Sequence, residues 1–81
     1  MEEKARQFID AFGGADNIKE IEGCITRLRA TVVDPSKVNT QRLIQLGTIG
    51  RPIVIGKGVQ AVVGTHAELI GSEMNRQMKQ K

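Results

Sequence analysis

From Arg27 to Val33 the chain alternates without a break, with Leu28, Ala30 and Val32 on one side and Arg27, Arg29 and Thr31 on the other. Successive side chains of an extended strand point to opposite faces, so this pattern predicts a strand with one dry and one wet side. Such a strand belongs in an antiparallel sheet whose apolar face is covered by a second layer. Three other stretches have the spacing to supply that cover. In residues 3–12, Ala5, Phe8, Ile9 and Phe12 fall at i, i+3, i+4 and i+7, and Gly13-Gly14 ends the helix. A second helix starts from Asn39 as N-cap, with Val38 and Leu43 placed as a hydrophobic staple. Leu43, Ile44 and Leu46 supply its buried side and Gly47 stops it. A third opens on Thr65-His66-Ala67-Glu68, read as a capping box, and carries Ala67, Ile70, Met74 and Met78 as its stripe. Gly71 inside that helix costs about 1 kcal/mol relative to Ala, and the Met78–Lys81 end is expected to fray.

The remaining segments read as strands. Residues 18–23 precede the alternating strand, and Asp34-Pro35-Ser36 closes it with turn chemistry. Residues 49–55 and 59–63 form a hairpin around Gly56-Lys57-Gly58, with Pro52 at an edge or strand start where its missing N–H does no harm. The order is helix, two strands, helix, two strands, helix. It predicts an α+β two-layer sandwich, a four-stranded antiparallel sheet covered on one face by three helices. The 81 residues suffice for one domain, with its core in about residues 3–75.

Composition narrows the function classes. No apolar run approaches the roughly 18 residues of a membrane span, and the charged start MEEKARQ has no signal-peptide segment behind it, so a cytoplasmic location is expected. The net charge of +3 suits a solvated surface or attraction to a phosphate or acidic partner. Phe8 and Phe12 are the only aromatics and both sit at core spacing, which argues against nucleic-acid stacking. One cysteine and one histidine are too few for a metal site and rule out an internal disulfide. His66, at the head of the last helix, reads as a surface residue. Gly56-Lys57-Gly58 has neither the spacing nor the following helix of a nucleotide-binding loop.

The candidate chemistry is concentrated in Cys24-Ile25-Thr26-Arg27-Leu28-Arg29, immediately after Gly23. Placed in the turn between the first two strands, the Cys24 thiol faces solvent. Arg27 and Arg29, two apart on one strand, share a face beside it. An ordinary cysteine is only a few per cent thiolate at neutral pH. Guanidiniums and turn amides within reach favour the anion, which makes Cys24 a candidate nucleophile. The same groups suit a phosphoryl group on sulfur, because Arg forks match its oxygens, Thr26 can donate a hydroxyl proton and turn N–H groups form an anion nest. The competing reading makes Cys24 a small buried hydrophobe and the arginines a solvated strand face.

Gly13-Gly14-Ala15-Asp16-Asn17-Ile18, the Cys24–Arg29 segment, and Gly58-Val59-Gln60 with Gly64 resemble the enzyme IIB domain of the glucose family of bacterial sugar phosphotransferase systems. The resemblance covers about residues 3–75. It implies a phosphotransferase in which Cys24 accepts a phosphoryl group from a phosphohistidine on a IIA protein and passes it to a sugar held by the membrane-embedded IIC permease. It further implies that Arg27 and Arg29 hold and pass on that group, that Thr26 lies in the phosphocysteine loop, and that Gln60 faces the loop from a neighbouring strand. Phosphoryl transfer rests on positioning and charge stabilisation, so no cofactor or metal is expected. Two other classes compete: a IIB-like regulatory binding module without transfer activity, and a small basic nucleic-acid binder.

Overall fold

The computed structural model describes residues 1–79. Its regular elements are α1 (Glu2–Ala11), β1 (Ile18–Cys24), β2 (Arg27–Val32), α2 (Thr40–Gln45), β3 (Ile53–Ile55), β4 (Gly58–Val62) and α3 (Ala67–Lys79), with short 3-10 turns at Ala15–Asn17 and Pro35–Lys37. All strand pairs are antiparallel, and the sheet order is β1-β2-β4-β3. This is the α+β order and sheet expected from the sequence. Leu28, Ala30 and Val32 are buried while Arg27, Arg29 and Thr31 are exposed, so the alternation of β2 separates core from solvent. Burying that row removes apolar surface from water at about 25 cal/mol per Å².

The helices cover the dry face. Ala5, Phe8, Ile9 and Phe12 from the first helix join Leu43 of α2 and Ile70 and Met74 of α3 in one core with Ile18, Ile21, Leu28, Ala30, Val32 and Val59 of the sheet. Ile18 and Ile21 are three apart, a spacing that cannot put both inward on a regular strand. A bulge between Ile18 and Glu20 resolves this: Ile18 faces Val32 and Glu20 faces Thr31, so Lys19 is the extra residue and both isoleucines reach the core.

Several local expectations hold and several shift. Asn39 caps α2, its Oδ1 accepting from the Arg42 N–H at 2.9 Å. Of the three apolar residues assigned to the buried side of that helix, Leu43 is buried, Leu46 is half-buried and Ile44 is 42% exposed. One six-residue helix is too short to cover the sheet with more than a narrow stripe. The third strand is confined to three residues instead of beginning near Ile49, because Gly50 takes φ +75° and Pro52 lacks a donor. Ile49 still donates one backbone bond to Val62 at 2.7 Å. Pro52 stands immediately before this edge strand, where it disrupts no ladder bond. In α3 the first helical bond runs from Ile70 N–H to His66 C=O. The helix therefore starts at Ala67, out of register with a Thr65–Glu68 capping box. Regular helix continues through Lys79, and the expectation of fraying at Gln80 and Lys81 lies outside the described residues.

Asn17, in the Gly-Gly-x-x-Asn stretch, is a buried staple. It is 3% exposed, its Nδ2 donates to the carbonyls of Phe12 (2.7 Å) and Asp34 (3.0 Å), and its Oδ1 accepts from Asp34 N–H at 2.8 Å. One side chain thereby ties the exit of α1 to the exit of β2, with every polar atom satisfied as burial demands.

Candidate functional site

The first two strands are joined by a two-residue turn. Cys24 is the last residue of β1 and pairs with Arg27, leaving only Ile25 and Thr26 between them. The thiol thus stands one residue earlier than the turn position expected, at a strand end, and it is exposed. Residues directly opposite on neighbouring strands point to the same face, so Cys24 and Arg27 share the uncovered side of the sheet. Arg29 follows two residues on along that side, and its cross-strand partners are Glu22 on β1 and Gln60 on β4. The structure therefore brings Cys24, Arg27, Arg29 and Gln60 onto one surface, with Thr26 in the turn beside the sulfur. Among the described residues neither guanidinium makes an ion pair or hydrogen bond. A concavity of about 670 Å³ continues this surface past Arg29, Thr31, Gln60 and Ile53. His66 is exposed just ahead of α3.

The turn itself is held firmly. The Thr26 carbonyl accepts from Val63 N–H at 2.8 Å and from Gly64 N–H at 3.1 Å. The loop leaving β4 thus clamps the turn beside Cys24, and Gly64, at φ +92°, has the backbone freedom this path requires. The N–H groups of Ile25 and Thr26 have no acceptor among the described residues. Ile25 is held at φ +57°, a left-handed conformation rare for a β-branched side chain.

Two glycines bring strand β1 and helix α3 together next to Cys24. A methyl group on Gly23 would overlap the Ala67 carbonyl, and one on Gly71 would lie 2.6 Å from the Gly23 backbone nitrogen. Strand β1 and helix α3 therefore meet backbone to backbone, and the first turn of α3 rests against the residue that precedes Cys24. The available signal was the mid-helix Gly71, a cost in helix propensity that only close packing explains. Gly23, beside the sole thiol, had no such signal, because its contact partner lies 44 residues or more away in sequence.

Comparison with known proteins identifies the family. The family described as phosphotransferase system, EIIB matches residues 6–39, a span that contains Cys24, Thr26, Arg27 and Arg29. The chain is 45% identical over 78 residues to the N-acetylglucosamine-specific EIIB component of Streptomyces coelicolor, covering 96% of this chain and all of that protein. It is 46% and 43% identical over 72 residues to the N-acetylglucosamine-specific EIICBA components of Klebsiella pneumoniae and Escherichia coli. Each match covers 89% of this chain and 11% of the much longer relative. In fold it is similar to one domain of the phosphotransferase system IIabc component of Clostridium difficile, with a TM-score of 0.70 at 24% identity over 96% of this chain and 78% of that one. With nearly its whole length aligned to a complete EIIB component and the same architecture in a solved domain, the chain belongs to the EIIB family of the sugar phosphotransferase system.

Proposed function

We propose that Cys24 is the residue that carries the phosphoryl group in this EIIB chain, with Arg27 and Arg29 as its principal ligands. The carrying observation is geometric: the only thiol of the sequence stands exposed directly opposite Arg27, with Arg29 next along the same face. The donor is a phosphohistidine on a IIA partner. The Cys24 thiolate attacks phosphorus, the S–P bond forms as the P–N bond breaks, and the imidazole leaves with the electron pair. In the second half, a sugar hydroxyl bound by a IIC permease attacks the same phosphorus. The S–P bond breaks, thiolate leaves, and the hydroxyl proton is released to solvent or a permease base.

Each neighbour has a part in this scheme. A phosphoryl group brings up to two negative charges and three acceptor oxygens. Two planar guanidiniums on one face offset that charge and fix the orientation for in-line transfer. Thr26 contributes its hydroxyl and, with Ile25, a backbone N–H; Gln60, opposite Arg29, supplies an amide to the outer edge. The names of the relatives support N-acetylglucosamine as the sugar and, through the fused EIICBA proteins, a working position beside a membrane permease on its cytoplasmic side. Among the described residues no helix is long and apolar enough to cross a membrane.

The test is reconstitution with phosphoenolpyruvate, enzyme I, the phosphocarrier protein and IIA. The intact mass should rise by about 80 Da for one phosphoryl group, and Cys24→Ser should remain unlabelled. Labelling of that variant to the same extent would overturn the assignment.

A further inference from the structure

Ile25 is doubly unfavourable in the free protein. Its backbone sits at φ +57°, a region that disfavours β-branched residues, and its side chain is 74% exposed. Glycine or asparagine would serve the turn with less strain. Nothing inside the fold offsets the choice, since the side chain is outside the packed core. The backbone is set by the hairpin, because a two-residue turn takes positive φ at its first central position, and the Val63 and Gly64 N–H groups hold the Thr26 carbonyl of that turn. Strain of this kind persists at functional sites where the surrounding structure over-determines it.

The geometry points to Ile25 as an apolar docking anchor for the phosphohistidine donor, a role that rests on the relay reading of Cys24. The argument is one of reach. Consecutive Cα atoms are about 3.8 Å apart, so a protein that brings phosphorus to bonding distance of the Cys24 sulfur must also cover the adjoining turn. The exposed isoleucine is then removed from water, and burying a large apolar anchor at the centre of a contact is where binding energy concentrates. The partner surface it fits is an apolar recess beside the donor histidine. The surrounding arginines recognise the phosphoryl group, and Ile25 recognises the protein that delivers it.

Ile25→Asn separates this role from turn geometry, because asparagine tolerates the left-handed backbone but lacks the apolar body. The expected result is a variant at least as stable as the parent by thermal unfolding, with Cys24 alkylated by iodoacetamide at the parental rate within about twofold. Its initial rate of phosphorylation should require about tenfold more phosphorylated IIA, a KM effect with kcat little changed. Ile25→Val should stay within about threefold of the parent. An unchanged KM in Ile25→Asn would overturn the docking role alone, as would a lowered kcat at constant KM, which would assign Ile25 to turn geometry. Failure of the parent chain to be labelled at any donor concentration would remove the relay reading and the docking role together.

Discussion

Replacing Gly71 by alanine sets two physical effects against each other, and the structure decides the sign. Helix propensity alone says that Gly71→Ala gains about 1 kcal/mol within α3. The new methyl, however, would lie 2.6 Å from the Gly23 nitrogen, 3.1 Å from the Gly23 Cα and 3.2 Å from the Glu22 carbonyl carbon. All three are backbone atoms of a paired strand, so none can swing aside. Carbon contacts prefer about 3.5–4.0 Å, so α3 must retreat from β1 by close to 1 Å. That loosens Ile70 and Met74, which are fully buried on the same helix. Overpacking of this kind costs about 1–3 kcal/mol, and the rigid partners put it at the upper end. The net expectation is a loss of about 2 kcal/mol, or roughly 8–16 °C in Tm for a domain of this size. The chain has no Trp or Tyr, so unfolding is best followed by far-UV circular dichroism. Ser72→Ala, on the exposed side of the same helix, is the control and should gain a few tenths of a kcal/mol. If Gly71→Ala matches or exceeds that control, the backbone-to-backbone account of the β1–α3 contact is wrong.

Asn17→Ala removes three hydrogen bonds and leaves the Phe12 carbonyl and the half-buried Asp34 N–H unpaired, so a loss of about 2–4 kcal/mol in urea unfolding is expected. Asp34 accepts from the Ser36 hydroxyl at 2.7 Å and the Ser36 N–H at 2.9 Å, and these bonds, with a smaller contribution from Lys37, hold its carboxyl below the ordinary value. A carboxylate lowered in the folded state contributes stability that is present above its unfolded pKa of about 4 and lost as pH falls through the folded one. Ser36→Ala should therefore flatten the acid side of the stability–pH profile below about pH 4; an unaltered profile would refute that linkage. Arg29→Lys keeps the charge and loses the fork. It should lower onward transfer to sugar by about tenfold or more while leaving thermal stability near the parent, as measured by sugar-phosphate formation from the prelabelled protein.

Much of the architecture was written in short-range patterns. The alternation of Arg27–Val32 and the helical stripe ending at Phe12 each report a local geometry, and each was recovered because burial follows that geometry. The site was legible for a related reason. Cys24, Arg27 and Arg29 lie within six residues on one hairpin; strand periodicity puts the two arginines on one face, and the cross-strand pairing of Cys24 with Arg27 adds the thiol. What periodicity could not reveal depends on distant partners. The bulge at Lys19 appears only when β1 is paired with β2, and the shortness of β3 follows from the path of residues 47–52. Gly23 and Gly71 acquire meaning only when helix and strand touch. Asn17 stood out only as part of the Gly-Gly-x-x-Asn-Ile resemblance, and its bonds to Phe12 and Asp34 show it to be a fastening.

The two margins of the sheet are blunted by different means. Along β1, Asn75 reaches from α3 and donates to the Ile21 carbonyl at 2.9 Å, so a hydrogen-bonding position that a stray strand would seek is already occupied. On the opposite margin, only Ile53, Val54 and Ile55 are in strand, and proline precedes them. A visiting chain would find room for little more than one pair of ladder bonds. Three bare aliphatic side chains would otherwise invite stacking into fibrils; brevity is what disarms them. Visitors are thereby turned away from the rims and towards the open floor of the sheet, where the thiol stands.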